Sequence, residues 1–345
     1  MSIIDTHLHI ITPDFIEAVR SAGSDAAGLI VPPWSPEIAL SFMNSRNIEK
    51  GILSYTSPGP KVGGNALVRR TNEKLRDIVG EHKERFGWFA SLPDWDSPDG
   101  VDAVLEEAEW AMKEARADGL SIMTSYNDKL PGHEDFLPIW EKLNELRAVL
   151  FMHPSEIAVI PRLIASKVAQ PLVDYPLATT RAAADLVLTK TMSRFTNVKI
   201  ILSHAGGTLP YLTERIITLS PLFQLSKEEC RRDIQRFYTD TALSTSKSQL
   251  MALTSIIPPT HILYGSDWPY VSASAVQDGV EELGAYIKGG CFCGGMGHPH
   301  VNAASGGLDE DKGEFSESGR KELAGVWRDN TERLFGWGKY AGAGN

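Results

Sequence analysis

Eight short apolar segments, separated by stretches with helical periodicity, constrain the fold of this chain more than any other feature of its sequence. Several are apolar along their whole length, as parallel strands covered on both faces are. The segments predicted as strands are 3–9, 51–55, 86–92, 119–124, 149–153, 198–204, 237–241 and 261–267. Eight such units in 345 residues predict an α/β protein, a closed (β/α)8 TIM barrel, as a single domain over residues 1–345.

The alternative α/β architecture is an open, doubly wound sheet. Such a sheet normally carries a glycine fingerprint directly after its first strand, and this chain has none there. Residues 288–313 are rich in glycine and lack periodicity. We therefore predict a long loop, inserted after the eighth strand and lying over the mouth of the barrel.

The charge balance and the apolar runs exclude some classes of partner. The chain has 34 Lys and Arg against 44 Asp and Glu, a net charge of −10, which argues against a nucleic-acid partner. No apolar run reaches the roughly 18 residues that a membrane helix needs. Three cysteines and a first segment unlike a signal peptide lead us to expect a cytoplasmic protein.

The first predicted strand ends in Asp5-Thr6-His7-Leu8-His9. Side chains two residues apart in a strand point to the same side, so His7 and His9 are expected to project together into the barrel, with Thr6 and Leu8 toward the helices. Two neighbouring imidazoles can bind one divalent metal.

Three further polar side chains stand at the ends of other predicted strands. His153 ends the fifth, His204 the sixth and Asp267 the eighth. In a barrel these carboxyl ends converge on one face, where active sites lie. We therefore predict that these residues meet His7 and His9, the alternative being hydrogen-bonded caps on separate strands.

Several motifs together resemble the amidohydrolase superfamily, in the branch that contains aminocarboxymuconate semialdehyde decarboxylase. They are residues 5–9 (DTHLH), 151–154 (FMHP), 203–207 (SHAGG), 265–269 (GSDWP) and 329–335 (DNTERLF). The resemblance implies that His7, His9, His153 and Asp267 bind one divalent metal, with His204 beside it. The fourth predicted strand has no lysine for the carbamate bridge of two-metal relatives, which favours a mononuclear site.

One departure from that branch bears on the substrate. Where the aminocarboxymuconate enzyme has an arginine that holds a second substrate carboxylate, this chain has Ala39. A substrate with one carboxylate is therefore expected. Among relatives that handle such substrates, the chain is most similar to the 6-methylsalicylate decarboxylases of fungal polyketide pathways.

The resemblance implies a metal-dependent, non-oxidative decarboxylase of an aromatic hydroxy-acid, which converts 6-methylsalicylate to 3-methylphenol and carbon dioxide. The alternatives are a hydrolase such as a lactonase, in which Asp267 acts as a general base on a metal-bound water, and a non-catalytic barrel. A small aromatic carboxylate is the expected partner, and the resemblance also implies a homodimer.

Roles within the expected site follow from its chemistry. Asp267 is the predicted proton donor, and His204 holds the substrate oxygen or relays the proton. Trp268 and Trp34 are candidate aromatic walls for a flat ring, or else ordinary core residues. Three imidazoles and one carboxylate suit Zn²⁺, with Mn²⁺ as the alternative.

Overall fold

The computed structural model describes residues 2–23, 31–161, 163–168, 170–289 and 317–341. Its centre is a parallel sheet of seven strands that follow one another in chain order. The strands are β1 (Ile3–His9), β2 (Ile48–Ser54), β3 (Phe86–Ser91), β4 (Gly119–Met123), β5 (Val149–His153), β6 (Lys199–Leu202) and β7 (Tyr238–Thr239).

Helices connect each strand to the next, which confirms the predicted α/β alternation. The α-helices are α1 (Pro13–Ser21), α2 (Pro36–Ser45), α3 (Gly64–Glu81), α4 (Gly100–Glu109), α5 (Leu137–Glu145), α6 (Asp174–Leu188), α7 (Thr191–Arg194), α8 (Leu209–Leu219), α9 (Lys227–Ile234), α10 (Lys247–Thr254), α11 (Ala273–Ile287), α12 (Glu317–Leu323) and α13 (Asp329–Phe335). Among the residues described, no helix is both long enough and apolar enough to cross a membrane.

The predicted eighth strand, 261–267, is present as an irregular segment that touches both edges of the sheet. Ile262 forms a parallel bridge with Thr239 of β7, and Trp268 forms one with Leu8 of β1. The ladder is interrupted because the backbone N–H of Tyr264 donates to Val326 instead of a strand. These bridges place the end of the segment beside the end of β1.

Two apolar clusters show how the sheet is curved. The larger cluster joins the sheet to the surrounding helices and includes Leu8 of β1, as the alternation in that strand predicted. The smaller cluster brings together strands from opposite parts of the sheet, such as β2 and β5, so the sheet must curl around it. Its buried members are Ile52, Phe89, Val149, Phe151, Ile201, Leu263 and Leu334.

Some predicted boundaries differ from those observed, for local reasons. The sixth strand was predicted to reach residue 204 but ends at Leu202, since His204 has a left-handed φ of 54°. The helical stretch between β5 and β6 is divided into α6 and α7 at Lys190, where φ is 63°. Of the predicted glycine-rich loop over 288–313, residues 290–313 lie outside the described part of the chain.

Candidate metal centre and active site

His7 and His9 project from the same side of β1, as their spacing predicts. Their ring centroids are 4.9 Å apart, and the two Nε2 atoms are separated by 3.1 Å. Both side chains are fully buried. The His7 ring stands edge-on to Phe151 at 4.9 Å, so the pair rests directly on the apolar cluster that the sheet encloses.

His153 and Asp267 complete a cluster of four potential ligands. One ligand atom from each of His7, His9, His153 and Asp267 lies within 4.8 Å of all the others. The Oδ1 atom of Asp267 is 3.1 Å from Nε2 of His9 and 3.4 Å from Nε2 of His7. Residues at the ends of β1, β5 and the eighth segment thus form a divalent-metal site, as the sequence predicted.

The hydrogen bonds of the three imidazoles fit a bound cation. The Nδ1 atom of His9 lies 3.1 Å from the carbonyl oxygen of Ser54, and that of His153 lies 2.9 Å from the carbonyl oxygen of Pro154. A carbonyl only accepts, so each Nδ1 carries the proton and each Nε2 keeps a lone pair. His7 is held in the same way, through Nδ1, by the carboxylate of Asp240 at 2.8 Å. Lone pairs that converge in this way suit a bound metal cation.

Burial and neighbouring carboxylates shift the pKa values of the three metal-site histidines. Burial lowers the pKa of His9 and places that of His153 well below its usual value, which keeps both rings neutral and able to bind metal. Burial would also lower the pKa of His7, but the carboxylates of Asp240 and Asp267 outweigh it and raise the pKa to about 10. A proton and a metal cation thus compete for Nε2 of His7.

His204 lies on the accessible side of the centre. Its Nε2 is 3.4 Å from Oδ2 of Asp267, the carboxylate oxygen that is not shared with His7 and His9. The side chains of His204 and Asp267 are 11% and 13% exposed, whereas the His7 and His9 side chains are fully buried. Asp267 and His204 therefore form the solvent-accessible side of the centre.

Both accessible residues occupy left-handed backbone positions. The φ angle is 54° at His204 and 58° at Asp267, values that non-glycine residues rarely adopt. The N–H of Asp267 donates to the carbonyl of His7 at 2.8 Å, which fixes this turn against β1. Such strained positions persist only where the surrounding contacts hold them.

Two residues of the site were missed by the sequence analysis. Asp240, just after β7, is fully buried and bonds His7; its position at a strand end is the same signal that identified Asp267. Tyr270 has its ring 5.6 Å from His9, and its hydroxyl has no hydrogen-bond partner among the described residues. No pattern in the sequence marked Tyr270.

The two tryptophans proposed as aromatic walls have different surroundings. The Trp268 ring is 7% exposed and stacks on Phe42, with centroids 4.7 Å apart and planes 10° from parallel. Trp34 is partly buried against the larger core cluster, and its indole N–H has no hydrogen-bond partner within the described residues. The stacking of Trp268 is the packing expected of a core residue.

A glycine makes room for the centre. A Cβ atom added at Gly265 would lie 2.8 Å from Cβ of His7 and 3.0 Å from Cβ of Asp240. Real Cβ atoms essentially never come closer than 3.0 Å to another heavy atom, so the contact with His7 would force a shift. The glycine before Ser266-Asp267 in the sequence is therefore required by the close approach of the eighth segment to β1 and β7.

Known proteins are similar to this chain in sequence and in fold. A decarboxylase of Aspergillus niger is 39% identical over 294 residues, covering 80% of each chain. A 6-methylsalicylic acid decarboxylase of Penicillium expansum is 38% identical over 297 residues, 83% of this chain and 90% of the relative. The manganese-bound structure of a 5-carboxyvanillate decarboxylase variant from Novosphingobium aromaticivorans has a TM-score of 0.74 at 17% identity, covering 97% of both chains. The amidohydrolase family model matches residues 4–337, and this chain therefore belongs to the amidohydrolase family.

Proposed function

We propose that this protein is a metal-dependent, non-oxidative decarboxylase of an aromatic hydroxy-acid, with 6-methylsalicylate as substrate and 3-methylphenol and carbon dioxide as products. The observation that carries the proposal is the 38% identity to a 6-methylsalicylic acid decarboxylase across 90% of that relative. The buried cluster of three imidazoles and Asp267, with His204 at its open side, supports it.

The reaction determines what the site must provide. If carbon dioxide left first, the electron pair of the broken bond would remain as a carbanion in the ring plane. Protonation of the ring carbon that bears the carboxylate avoids this species, because the pair of the carbon–carbon bond then returns to the ring. Each turnover consumes one proton and releases one carbon dioxide.

The metal centre provides a place for the substrate. When bound, a divalent cation supplies the charge that holds the substrate carboxylate and its ortho oxygen. His7, His9 and His153 are the proposed imidazole ligands, and Asp267 contributes its Oδ1.

Asp267 is the proposed proton donor. A nearby cation lowers the pKa of a carboxyl group and makes it a poor acid, so the proton has to be carried on Oδ2, the oxygen that does not face the metal-binding imidazoles. That oxygen lies 3.4 Å from Nε2 of His204, which relays a proton to it or holds the substrate oxygen. The two residues thereby share the acid function at the accessible side of the centre.

Aromatic residues near the centre are the proposed contacts for the substrate ring. The ring of Tyr270 lies beside His9, and its hydroxyl has no hydrogen-bond partner among the described residues, so Tyr270 is our first choice for a hydrogen bond to the substrate. Trp34 remains a proposed wall, and its indole N–H has no partner in the part of the chain that the structure describes. Trp268 is proposed to act indirectly: its ring packs on Phe42 and thereby fixes the turn that carries Asp267.

Isotope incorporation tests the proposal directly. Metal-loaded protein is incubated with 6-methylsalicylate in D₂O, and the 3-methylphenol is analysed by mass spectrometry and NMR. We expect one deuterium, at the carbon between those bearing the hydroxyl and methyl groups, and one carbon dioxide per turnover. Ring opening of a lactone panel without carbon dioxide release would instead identify the hydrolase alternative.

Zn²⁺ is the proposed native metal, because three imidazoles and one carboxylate match its usual ligands. Mn²⁺ is the alternative, in line with the manganese bound in the Novosphingobium aromaticivorans structure. Elemental analysis of protein purified without chelators distinguishes the two.

We also propose that the seven strands and the bridging eighth segment form a (β/α)8 barrel with an inserted loop over 288–313, and that residues 1–345 form one domain. A cytoplasmic location is consistent with the free, buried thiol of Cys230. The resemblance supports a homodimer, which light scattering after size-exclusion chromatography tests.

A further inference from the structure

We propose that Asp240 is a positioning residue whose single carboxylate fixes two separate parts of the site, the His7 ring and the backbone of His204. Its Oδ2 lies 2.8 Å from Nδ1 of His7. Its Oδ1 accepts the backbone N–H of His204 at 2.9 Å and that of Ala242 at 3.0 Å. A metal-binding ring and the turn that carries His204 are thus tied to one side chain.

The three groups around Asp240 are all donors. The side chain is fully buried, so water cannot replace a lost acceptor without entering the core. A carboxylate offers an acceptor oxygen on each side and can satisfy all three donors. An amide of the same size offers one oxygen and one NH₂ group, so it must oppose a donor on one side.

That conflict has a specific consequence for the metal in an Asp240→Asn variant. If the new amide oxygen keeps the two backbone N–H groups, the NH₂ faces His7 and favours the ring form that carries its proton on Nε2. This form cannot bind metal through Nε2. If the amide rotates by 180°, its NH₂ faces the N–H groups of His204 and Ala242 instead, and the backbone of His204 loses its hydrogen-bond acceptor.

The His204 turn needs that acceptor because of its backbone. His204 and Ala205 have φ angles of 54° and 55°, and Gly206 and Gly207 follow with 73° and 66°. The main chain of Asp240 adds a second tie, since its carbonyl accepts the N–H of Ala205 at 2.9 Å. Asp240 therefore holds a run of four left-handed residues at the open side of the metal centre.

This inference rests on the metal centre of the proposed function and not on the identity of the substrate. The test is the affinity for Zn²⁺, and separately for Mn²⁺, measured by competition with a chromophoric chelator. We expect Asp240→Asn to fold, by circular dichroism, and to bind metal about 10- to 100-fold more weakly than the unaltered protein.

Asp233 provides a matched control. It is a buried carboxylate of α9 that accepts a hydrogen bond from Ser193, and no contact with the metal residues is seen in the described structure. Asp233→Asn removes the same charge and is expected to lower the melting temperature while leaving metal affinity unchanged. Equal losses of affinity in both variants, or none in folded Asp240→Asn, would overturn the inference. If Asp240→Asn fails to fold, the same titration is decisive with Asp240→Ser, whose hydroxyl is too short to reach both sides.

A second readout tests the tie to His204. At saturating metal, we expect Asp240→Asn to lower kcat at least 10-fold. In a protein that already carries His204→Gln, adding Asp240→Asn should cause no further loss of kcat. Fully additive effects would contradict the proposed link. If Asp240→Asn weakens metal binding but the unaltered protein decarboxylates no hydroxybenzoate, the role of Asp240 stands and the proposed function is refuted.

Discussion

The Oδ2 atom of Asp267 lies 3.4 Å from Nε2 of His204, while Oδ1 of the same carboxylate lies 3.1 Å from Nε2 of His9. One side chain thus joins the metal-binding imidazoles to the accessible histidine. This division gives each oxygen a separate task and allows the acid function to be tested apart from metal binding.

Asp267→Asn should reduce turnover far more than substrate binding. The amide retains an oxygen for the metal side but cannot carry a transferable acid proton, so we expect kcat to fall about 10²- to 10⁴-fold. Substrate affinity, followed by quenching of tryptophan fluorescence, should change much less. Metal content is measured in the same samples, and equal losses of binding and turnover would contradict the donor role.

His204→Gln should lower kcat without loss of metal. His204 contacts Asp267 through Oδ2 and is not one of the four clustered ligands, so the Zn²⁺ affinity should match that of the unaltered protein. We expect kcat to fall about 10²-fold, the lower end for loss of a group that transfers protons. A variant that loses metal in parallel with activity would show that His204 serves the metal centre instead.

Removal of the metal should destabilise the protein as well as inactivate it. A metal that binds only the folded state adds about 4 kcal/mol to the free energy of unfolding when its concentration is 1,000 times its Kd. Loss of the metal therefore lowers the melting temperature by a few degrees in a chain of this size. Calorimetry before and after chelation, followed by return of Zn²⁺ or Mn²⁺, measures both effects. The melting temperature of His153→Ala should not rise when Zn²⁺ or Mn²⁺ is added, because one of the four clustered ligands is missing.

The metal ligands could be predicted from the sequence because simple geometry relates them. Residues 7 and 9 share a face of one strand. His153 ends β5 and Asp267 ends the eighth segment, and the curled parallel sheet brings both ends to the same edge. Asp240 carried the same strand-end signal, but its importance depends on a hydrogen bond to a residue 233 positions away. Local patterns do not encode such pairings.

The irregular features escaped prediction for a related reason. The eighth segment was predicted as a regular strand, and its apolar residues fit one; its ladder is broken by a hydrogen bond from Tyr264 to Val326, which is distant in sequence. The left-handed turn at His204 is held by Asp240 in the same long-range manner. Strand and helix types follow from periodicity, whereas these interruptions follow from tertiary contacts.

Tyr270→Phe should weaken substrate binding without affecting the metal. The variant removes only the hydroxyl, which has no partner among the described residues, so the folded protein should lose little stability. If this hydroxyl bonds the substrate, its loss costs about 1 kcal/mol, or a roughly 5-fold rise in KM. Unchanged KM and kcat for 6-methylsalicylate would remove Tyr270 from the substrate site.

Gly265→Ala should disrupt the metal centre more than the fold. The new methyl group would lie 2.8 Å from Cβ of His7 and 3.0 Å from Cβ of Asp240, and both neighbours carry groups of the centre. Relief of that contact moves the eighth segment, and Asp267 with it, away from β1. We therefore expect at least a 10-fold loss of Zn²⁺ affinity.

Gly284→Ala is the matched control, because an added Cβ there meets no atom within 4 Å, and this variant should keep full metal affinity. Normal metal binding by Gly265→Ala would mean that the segment can shift without displacing Asp267.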